Sequence, residues 1–332
     1  MTRPLVSVVV IGRNEGQRLA VCLKSVQQAN PIDGEIELIY VDSASSDGSP
    51  ELAESLGATV LRVTPQRPSA ALGRNAGWRA STGTHVLFLD GDTLLHADFL
   101  NHALKALDDA DVAVVWGHRR EIHPENSWYN RVLDLDWIYP AGVSEFCGGD
   151  ALMRREVLEQ VDGFSEDLIA GEEPELCQRI RALGKVILHL DQPMTGHDLT
   201  MTRFQAYWKR ALRAGHAYAE VSQRMKTTAF PLWLGECRRN ALHATVLLLL
   251  LIGASVLTLM TGAILPGLGL LMSYAFLIVR SAYKARWKNA SPLTLLLYGV
   301  HSHFQQIPIA CGQLSYWYHR FSKQHHALIE YK

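Results

Sequence analysis

The strongest shift in composition along the chain lies between Ala241 and Val279, where there is no Asp, Glu, Lys or Arg. A membrane-spanning helix needs about 20 consecutive apolar residues, so this segment is long enough for two helices if the chain reverses between them. Gly262, Pro266 and Gly267 supply the break. A buried hairpin of a soluble protein is disfavoured, because soluble helices rarely lack a polar face over such a length. We therefore expect a transmembrane helical hairpin over 241–279.

Basic residues flank this hairpin on both sides, and cytoplasmic flanks of membrane spans are enriched in Lys and Arg. They are Arg238, Arg239, Arg280, Lys284, Arg286 and Lys288. Both flanks are therefore expected in the cytoplasm, which makes 280–332 a cytoplasmic basic tail. A third span over 293–318 would move the end of this tail outside. That apolar but interrupted segment is therefore expected to be interfacial or re-entrant.

Residues 201–240 join the hairpin to the first 200 residues. Aromatic side chains at Phe204, Tyr207 and Trp208 alternate with basic ones at Arg203, Lys209, Arg210 and Arg213. This pattern is typical of an amphipathic helix that lies on a membrane surface. A helix that closes the preceding domain is the alternative, and the two are compatible.

Strand and helix patterns alternate over residues 6–90. Apolar runs typical of strands occupy Val6–Ile11, Ile36–Val41, Ala58–Val63 and Val86–Asp90, and helical patterns occupy Leu19–Val26, Pro50–Leu56 and Ala70–Ala80. Such alternation predicts an α/β fold with a doubly wound, mostly parallel sheet. Ligands of these sheets bind beyond the carboxyl ends of the strands.

Polar side chains follow three of these strands. Asn14 and Glu15 come after the first, Asp42 ends the second, and Asp90 and Asp92 end the fourth. Alone, Asp90-Gly91-Asp92 fits a turn as well as a seat for a hard cation. Solvation does not explain acids at the ends of separate strands, so their convergence favours a site for Mg²⁺ or Mn²⁺ and phosphate.

Other kinds of site are not indicated. The sequence has neither a Gly-x-Gly-x-x-Gly after the first strand nor a phosphate-binding P-loop. Diphosphate charge would then need basic side chains, for which Arg74 is a candidate and Arg13 a weaker one. The net charge of −1 does not suggest a nucleic-acid partner, and the five scattered cysteines suggest neither disulfides nor zinc.

The order of several short motifs resembles that of the family 2 glycosyltransferases, which have the GT-A fold and invert the sugar configuration. The motifs are VVVIGRNE (8–15), YVDSASSDGS (40–49), GRNAG (73–77), LFLDGD (87–92), FCGGDALMR (146–154), VDGF (161–164) and GEEPELCQRIR (171–181). Each motif is weak alone, but their order and spacing are specific. The resemblance covers residues 4–198 and implies a GT-A catalytic domain over 1–200.

The resemblance also implies roles for donor-binding residues. The loop after the first strand would hold the nucleotide through Asn14 and Glu15, and Asp42 would contact the nucleoside. Arg74 and Asp90 would contribute to donor binding.

The same resemblance assigns the metal and the base. Asp92 would be the main metal ligand, with Asp90 beside it and His197 approaching the metal or the diphosphate. The acidic pair Glu172-Glu173 would supply the catalytic base, most simply through Glu173. The family's usual pair is Glu-Asp, so the choice between the two glutamates stays open.

We accordingly expect transfer from a UDP- or GDP-linked sugar to a membrane-associated, polyprenyl-linked glycan in polysaccharide or glycoconjugate assembly. A carboxylate would take the acceptor's proton, and a divalent cation would neutralise the leaving diphosphate. The enzyme would be a multi-pass protein of the cytoplasmic (inner) membrane with its catalytic domain in the cytoplasm. A polyprenyl-phosphate sugar synthase and a non-catalytic membrane scaffold that binds sugar nucleotides are the alternatives.

The segment Glu121–Cys147 is rich in aromatic residues and irregular in pattern. Its aromatic side chains are expected to pack as a cover over the sheet, with acceptor stacking as the alternative. Asp134 and Asp136 are expected to be surface acids.

Overall fold

The computed structural model describes residues 5–64 and 66–322. The basic residues Lys323 and Lys332 of the predicted tail lie outside this part of the chain. Its strands are β1 (Val6–Gly12), β2 (Ile36–Asp42), β3 (Thr59–Arg62), β4 (His85–Asp90), β5 (Thr93–Leu95), β6 (Val112–Glu121), β7 (Gly142–Ser144), β8 (Ala151–Arg154) and β9 (Val186–His197).

The helices are α1 (Gln17–Gln27), α2 (Ser49–Ser55), α3 (Ala70–Ala80), α4 (Phe99–Ala106), α5 (Trp128–Asp136), α6 (Arg155–Gln160), α7 (Glu172–Ala182), α8 (Phe204–Met225), α9 (Leu234–Thr261), α10 (Leu265–Lys284), α11 (Pro292–Phe304) and α12 (Gln306–Ser322). The four strands predicted over residues 6–90 are confirmed to within one residue at each end, and the helix at Ala70–Ala80 matches its predicted bounds.

Within the described residues the strands form one sheet in the order β3-β2-β1-β4-β8-β6-β9-β5, with β7 paired to β9. The pairs among β3, β2, β1 and β4 are parallel, as is β6 with β9, whereas β8, β5 and β7 pair antiparallel. This mostly parallel α/β sheet confirms the predicted fold class. All seven residues of β1 are buried, as expected for a central strand covered on both faces.

The register of the parallel strands sets the position of the loops that follow them. Gly12 of β1 pairs with Asp42 of β2, and Ile11 pairs with Asp90 of β4. The loops after β1, β2 and β4 therefore lie side by side at one edge of the sheet. At the far side, Thr93 of β5 pairs with His197 at the end of β9, so His197 comes opposite the residue that follows Asp92.

The segment Glu121–Cys147 is more regular than expected, since it contains helix α5. The prediction that Asp134 and Asp136 are surface acids is wrong. Asp134 is buried and accepts hydrogen bonds from the Arg120 guanidinium and the Glu121 amide. Asp136 contacts α11, from which His301 Nε2 lies 2.9 Å from one carboxylate oxygen. A sequence pattern on α5 could not show these partners, because the α11 contact is 165 residues away along the chain.

Helices α9 and α10 are long and apolar enough to cross a membrane, and the chain reverses between them at Gly262, which has a left-handed backbone with φ of 64°. Almost none of the residues in their apolar windows are buried inside the protein. Helix α12 packs along α8, where Gly215 of α8 lies against the Ile309 carbonyl and Gly312 of α12 lies against the Leu212 carbonyl. Two glycines facing each other's helix let the backbones approach closely.

Candidate active site

Hydrogen bonds through Ser45 and Ser46 join the loops after β1 and β2. Ser45 Oγ accepts from the Asn14 amide at 2.9 Å, and Asn14 Oδ1 accepts from the Ser46 amide at 2.8 Å. Asp42 is buried and accepts from the Ser45 amide at 2.9 Å and from Tyr40 Oη at 3.1 Å. The structure therefore brings together Asn14 and Asp42, which the sequence predicts to bind the nucleotide. That role stays a prediction.

Glu15 lies toward the end of β4. Its carboxylate pairs with Arg18 Nη2 at 2.6 Å, and Arg18 Nη1 lies 4.0 Å from an oxygen of Asp92. Glu15 also packs against Gly91, where a Cβ on the glycine would lie 3.1 Å from Glu15 Cγ. Glu15 is thus next to the predicted cation site, on the same side as Arg18.

Asp90, Asp92 and His197 form a cluster that fits a metal ion. Their ligand atoms lie within 4.8 Å of one another, and His197 Nε2 is 3.3 Å from Asp92 Oδ1. Burial, aided by the nearby charge of Arg119 and opposed by Asp92, lowers the pKa of His197 to about 4. The imidazole is therefore neutral at neutral pH and has a lone pair to give to a cation.

Two further observations bear on the fit of a cation. His197 Nδ1 is buried and has no hydrogen-bond partner among the residues that the structure describes. Asp90 is held on both oxygens, by Arg74 Nη2 at 3.1 Å and by Arg119 Nη2 at 3.3 Å. Carboxylates with one imidazole are a donor set that divalent ions such as Mn²⁺ accept. Asp92 and His197 are the better placed ligands, because both oxygens of Asp90 are already engaged.

Arg74 joins the strand-end acids to the later acidic pair. Its side chain is only 2% exposed, and Nη1 lies 2.7 Å from Glu172 and 2.9 Å from Glu173 while Nη2 contacts Asp90. Burial raises the pKa of Asp90, but the charges of Arg74 and Arg119 outweigh it and hold that pKa below its ordinary value. Arg74 thus forms ion pairs with three carboxylates at once. A direct contact with the donor stays a prediction.

The two glutamates at the start of α7 differ in position. Gly171 before them has a left-handed backbone with φ of 85°, which turns the chain into the helix. The Glu172 side chain is 5% exposed, whereas that of Glu173 is 15% exposed and lines a cavity. Glu173 is therefore the glutamate that can meet a substrate.

This catalytic cavity has a volume of about 280 Å³. Charged and aromatic side chains from several elements line it, among them Arg119, Trp137, Tyr139, Asp150, Glu173 and Arg210. Trp137 lies 5.0 Å from the His197 ring, so the cavity borders the candidate metal cluster. The Arg119 guanidinium is 5.0 Å from the centre of the Trp137 ring. The cavity thus has the carboxylate of Glu173 at one wall and cationic groups at another.

Asp150 and Arg119 complete the polar floor of the cavity. Asp150 accepts from the Asp90 amide at 3.1 Å and from Thr195 Oγ1 at 2.7 Å, and Arg119 Nη1 is 3.6 Å away. Burial raises the pKa of Asp150 to about 6, although Arg119 opposes the shift. These contacts bind β4, β6, β8 and β9 into one rigid floor.

The family of the chain follows from its sequence. Residues 85–287, more than half of the chain, match the pattern of the family described as glycosyl transferase family group 2, and residues 7–162 match glycosyl transferase family 2. The chain belongs to the family 2 glycosyltransferases.

Individual relatives of this glycosyltransferase are distant. Glycosyltransferase AglE of Haloferax volcanii is 24% identical over 194 residues, which are 55% of this chain and 63% of AglE. The chain therefore spans less than two thirds of the length of this curated relative.

Two solved structures share its fold. The mannosyltransferase PcManGT from Pyrobaculum calidifontis, in complex with GDP-Man and Mn²⁺, has a TM-score of 0.64 at 21% identity and covers 90% of this chain and 87% of its own. Residues 1–349 of S. aureus TarS, in complex with UDP, have a TM-score of 0.53 at 15% identity. The match covers 95% of this chain and 91% of the TarS chain. The predicted GT-A fold is confirmed.

The sequence reasoning overlooked Arg119 and Asp150 as site residues of this glycosyltransferase. Both had a signal. Arg119 follows the apolar run Val112–Gly117 and lies near the end of its strand. Asp42 and Asp90 were predicted as site residues because they end strands in the same way. Asp150 lies inside the FCGGDALMR motif, for which no individual role was inferred. Trp137 and Tyr139 line the cavity, whereas Trp128 and Tyr129 pack against Tyr207 of α8 as the expected cover.

Proposed function

We propose that this glycosyltransferase moves a sugar, with inversion, from a UDP- or GDP-linked donor to a membrane-associated, polyprenyl-linked glycan. The observation that carries the proposal is the Asp90, Asp92 and His197 cluster, which Arg74 joins to Glu172 and Glu173 beside the cavity that Glu173 lines. Three separate segments supply these groups, and a scaffold without chemistry has no need to bring them together. Solved structures of the same fold bind GDP-Man with Mn²⁺ and UDP, which supports the choice of donor.

In this proposal the donor lies over the edge formed by the loops after β1, β2 and β4. Asn14, Asp42 and Glu15 hold the nucleotide, and the diphosphate faces Asp92 and His197. Mn²⁺ or Mg²⁺ held by Asp92 and His197, with Asp90 beside them, would stabilise the charge on the leaving diphosphate as a Lewis acid. Arg119 and Arg18 lie next to these ligands and add positive charge on either side of them.

Glu173 acts as the general base in this mechanism. Its carboxylate lines the catalytic cavity and takes the proton of the acceptor hydroxyl as that hydroxyl attacks the anomeric carbon. Arg74 fixes the orientation of Glu173 through the 2.9 Å ion pair, and Glu172 fixes Arg74 from the buried side. A base and a leaving group on opposite sides of the sugar lead to a single displacement, which inverts its configuration. Binding both substrates in this arrangement lowers the entropic part of the barrier.

The membrane part of the proposal rests on α9 and α10, two helices that could cross a bilayer. Basic residues before α9 and at the end of α10 favour a cytoplasmic position for both flanks. The protein would then be a multi-pass protein of the inner membrane whose catalytic domain faces the cytoplasm. An acceptor held in the bilayer surface would meet the catalytic cavity without leaving the membrane.

Sugar transfer by the purified full chain from labelled UDP- and GDP-sugars, with Mn²⁺ or with chelator, tests the proposal. Asp92→Ala is expected to abolish metal-dependent turnover and to weaken Mn²⁺-dependent nucleotide binding in calorimetry. Glu173→Gln is expected to keep nucleotide binding and to lose transfer by about 10²–10⁴-fold, the usual contribution of a general base.

Matched controls for the two variants come from exposed acids. Asp191→Ala and Glu125→Gln change side chains that are 87% and 66% exposed, and both are expected to retain wild-type transfer. Full transfer activity in Asp92→Ala or Glu173→Gln would show that the assigned residues do not do this chemistry.

A further inference from the structure

Three cavities lie between the catalytic site and the apolar helices, and the first two share lining residues. The second, which we name the interface cavity, has a volume of about 270 Å³ and lies among α5, α8, α9, α11 and α12. Tyr139 and Arg210 line both it and the catalytic cavity. These two side chains therefore form the boundary between the two spaces.

The third space, the apolar groove, has a volume of about 930 Å³ and lies among α9, α10 and α12. Its lining consists almost wholly of aliphatic and small residues, such as Leu248, Ala254 and Leu271. On α12 the interface cavity is lined by Gln306 and Ile309, and the apolar groove by their neighbours Ile307 and Ala310. The polar and the apolar space thus lie beside neighbouring residues of α12.

Arg210 supplies positive charge at the boundary. In the part of the chain that the structure describes, no carboxylate oxygen lies within 4.0 Å of the Arg210 guanidinium, the distance limit for an ion pair. The Arg210 guanidinium lies near the Trp137 ring, whose centre is 5.9 Å from Arg210 Cζ. Burial and the neighbouring charges of Arg213 and Arg119, opposed by those of Asp136 and Asp92, lower the pKa of Arg210 to about 10.

The two acids that line the interface cavity are already paired. Asp136 accepts from Tyr298 Oη at 3.0 Å and lies 2.9 Å from His301 Nε2. Glu236 pairs with Arg239 at 2.7 Å. An anion beside Arg210 would therefore meet a guanidinium that has no close ion pair among the described residues, and a phosphate matches a guanidinium in geometry as well as charge.

We propose that Arg210 binds the phosphate of a lipid-linked acceptor whose hydrocarbon chain lies in the apolar groove. This inference rests on the proposed function and names the acceptor's binding site. The phosphate occupies the interface cavity at its border with the catalytic cavity, and the group to be glycosylated extends from it past Tyr139 toward Glu173. A bulk phospholipid would account for the apolar groove alone, but not for an unpaired arginine at the entrance to the catalytic cavity.

Binding is tested with the full chain in nanodiscs, using a long-chain isoprenyl phosphate as probe and phosphatidylglycerol as reference. Arg210→Gln is expected to weaken binding of the isoprenyl phosphate roughly ten- to a hundredfold, the usual range for one charge-assisted hydrogen bond. Arg210→Lys should restore part of the affinity, because it keeps the charge but loses the fork of donors. Arg203→Gln changes an exposed arginine just before α8 and should have no effect.

Three results would overturn the assignment of Arg210. They are unchanged isoprenyl phosphate binding in Arg210→Gln, an equal loss of phosphatidylglycerol binding, and an equal loss of affinity for the nucleotide donor with Mn²⁺. The nucleotide measurement also reports whether each variant is folded.

The apolar groove is tested with variants that fill it. Ala254→Phe and Ala310→Phe place a ring among the lining residues, and Ala275→Phe places the same ring on the exposed face of α10. Only the first two are expected to raise KM for a long-chain acceptor, and a short-chain analogue should lose nothing. Equal effects of all three variants, or equal effects on both chain lengths, would contradict the proposal.

The two proposals fail in distinguishable ways. If the wild-type chain transfers sugar from no nucleotide donor to any acceptor, the proposed function is wrong, and the binding measurements still decide the phosphate site. If it transfers sugar to a water-soluble glycan as well as to a lipid-linked one, with Arg210→Gln equal to the wild type, the function stands and the acceptor site does not.

Discussion

Arg74 shows how one buried side chain can organise a site. Its guanidinium contacts Asp90 at the end of β4 and both glutamates at the start of α7. A buried arginine with three carboxylates is stable only as long as all partners stay in place, because an unpaired buried charge is costly. The spacing of Glu173 from Asp90 and the other strand-end acids therefore depends on this residue.

Gly149 lies directly against this cluster. A Cβ there would be 2.7 Å from Arg74 Nη2, 3.2 Å from Glu173 Oε1 and 3.3 Å from Asp90 Oδ2. We predict that Gly149→Ala displaces the arginine, lowers stability by roughly 1–3 kcal/mol as overpacking does, and reduces transfer. Thermal unfolding measures the first effect. Gly148→Ala is the control, because a Cβ at Gly148 meets nothing within 4 Å and its unfolding temperature should stay unchanged.

Asp136 carries a prediction about pH. Burial raises its pKa, but the charge of His301 and the hydrogen bonds from His301 and Tyr298 outweigh burial and hold the pKa below the ordinary value of 3.8. A carboxylate with a depressed pKa stabilises the folded state above the unfolded value, and this contribution is lost as the pH falls through the folded value.

Asp136→Asn should therefore be less stable than the wild type at pH 7, by about 1–3 kcal/mol for a hydrogen bond to a charged group. The difference should shrink as the pH falls below about 4, where the carboxylate of the unfolded chain becomes protonated, and should be lost below the lower folded pKa. Chemical denaturation at pH 7 and at pH values below about 4 measures the difference in stability. A difference that stays constant with pH would contradict the assigned ion pair.

At the scale of elements, the contact between α8 and α12 depends on two glycines. A Cβ on Gly312 would overlap the Leu212 carbonyl and lie 2.8 Å from the His216 amide nitrogen, and both are backbone atoms of α8. A helix backbone cannot yield as a flexible side chain can. The closeness of the two helices is thus set by the absence of these two side chains.

We predict that Gly312→Ala forces α12 away from α8 and lowers stability by roughly 1–3 kcal/mol in detergent. Gly253→Ala is the matched control in α9, where a Cβ meets nothing within 4 Å. That variant should be neutral or slightly stabilising, because alanine favours a helix more than glycine does. Similar losses in both variants would show that the effect is not due to helix contact.

At the scale of the whole molecule, the sequence predicted the α/β half well because each element there has its own local signal. Apolar β-branched runs such as Val6–Ile11 identify the strands, and the parallel arrangement then places Asp42 and Asp90 at one edge. The acidic pair at Glu172 and the histidine at 197 came instead from the family resemblance. The structure brings both next to the strand-end acids.

What the sequence could not show depends on contacts between distant segments. Arg119 reaches Asp90 and Asp150 only because β6 lies between β8 and β9, an order that no local pattern encodes. Asp136 was wrongly predicted to be a surface acid, because its partner His301 lies on α11, far away along the chain. The interleaved aromatic and basic residues of α8 indicated an amphipathic helix, but not that α12 covers part of it.

The crossing of α8 and α12 has a consequence for biosynthesis. A chain is made from its amino end, so α8 leaves the ribosome before α9, α10 and α12 exist. The face of α8 that carries Gly215 then lacks its partner α12 until the two long apolar helices have been synthesised. Because α8 also supplies Arg210 to the catalytic cavity, this part of the cavity wall gains the support of α12 only after the long apolar helices have been made.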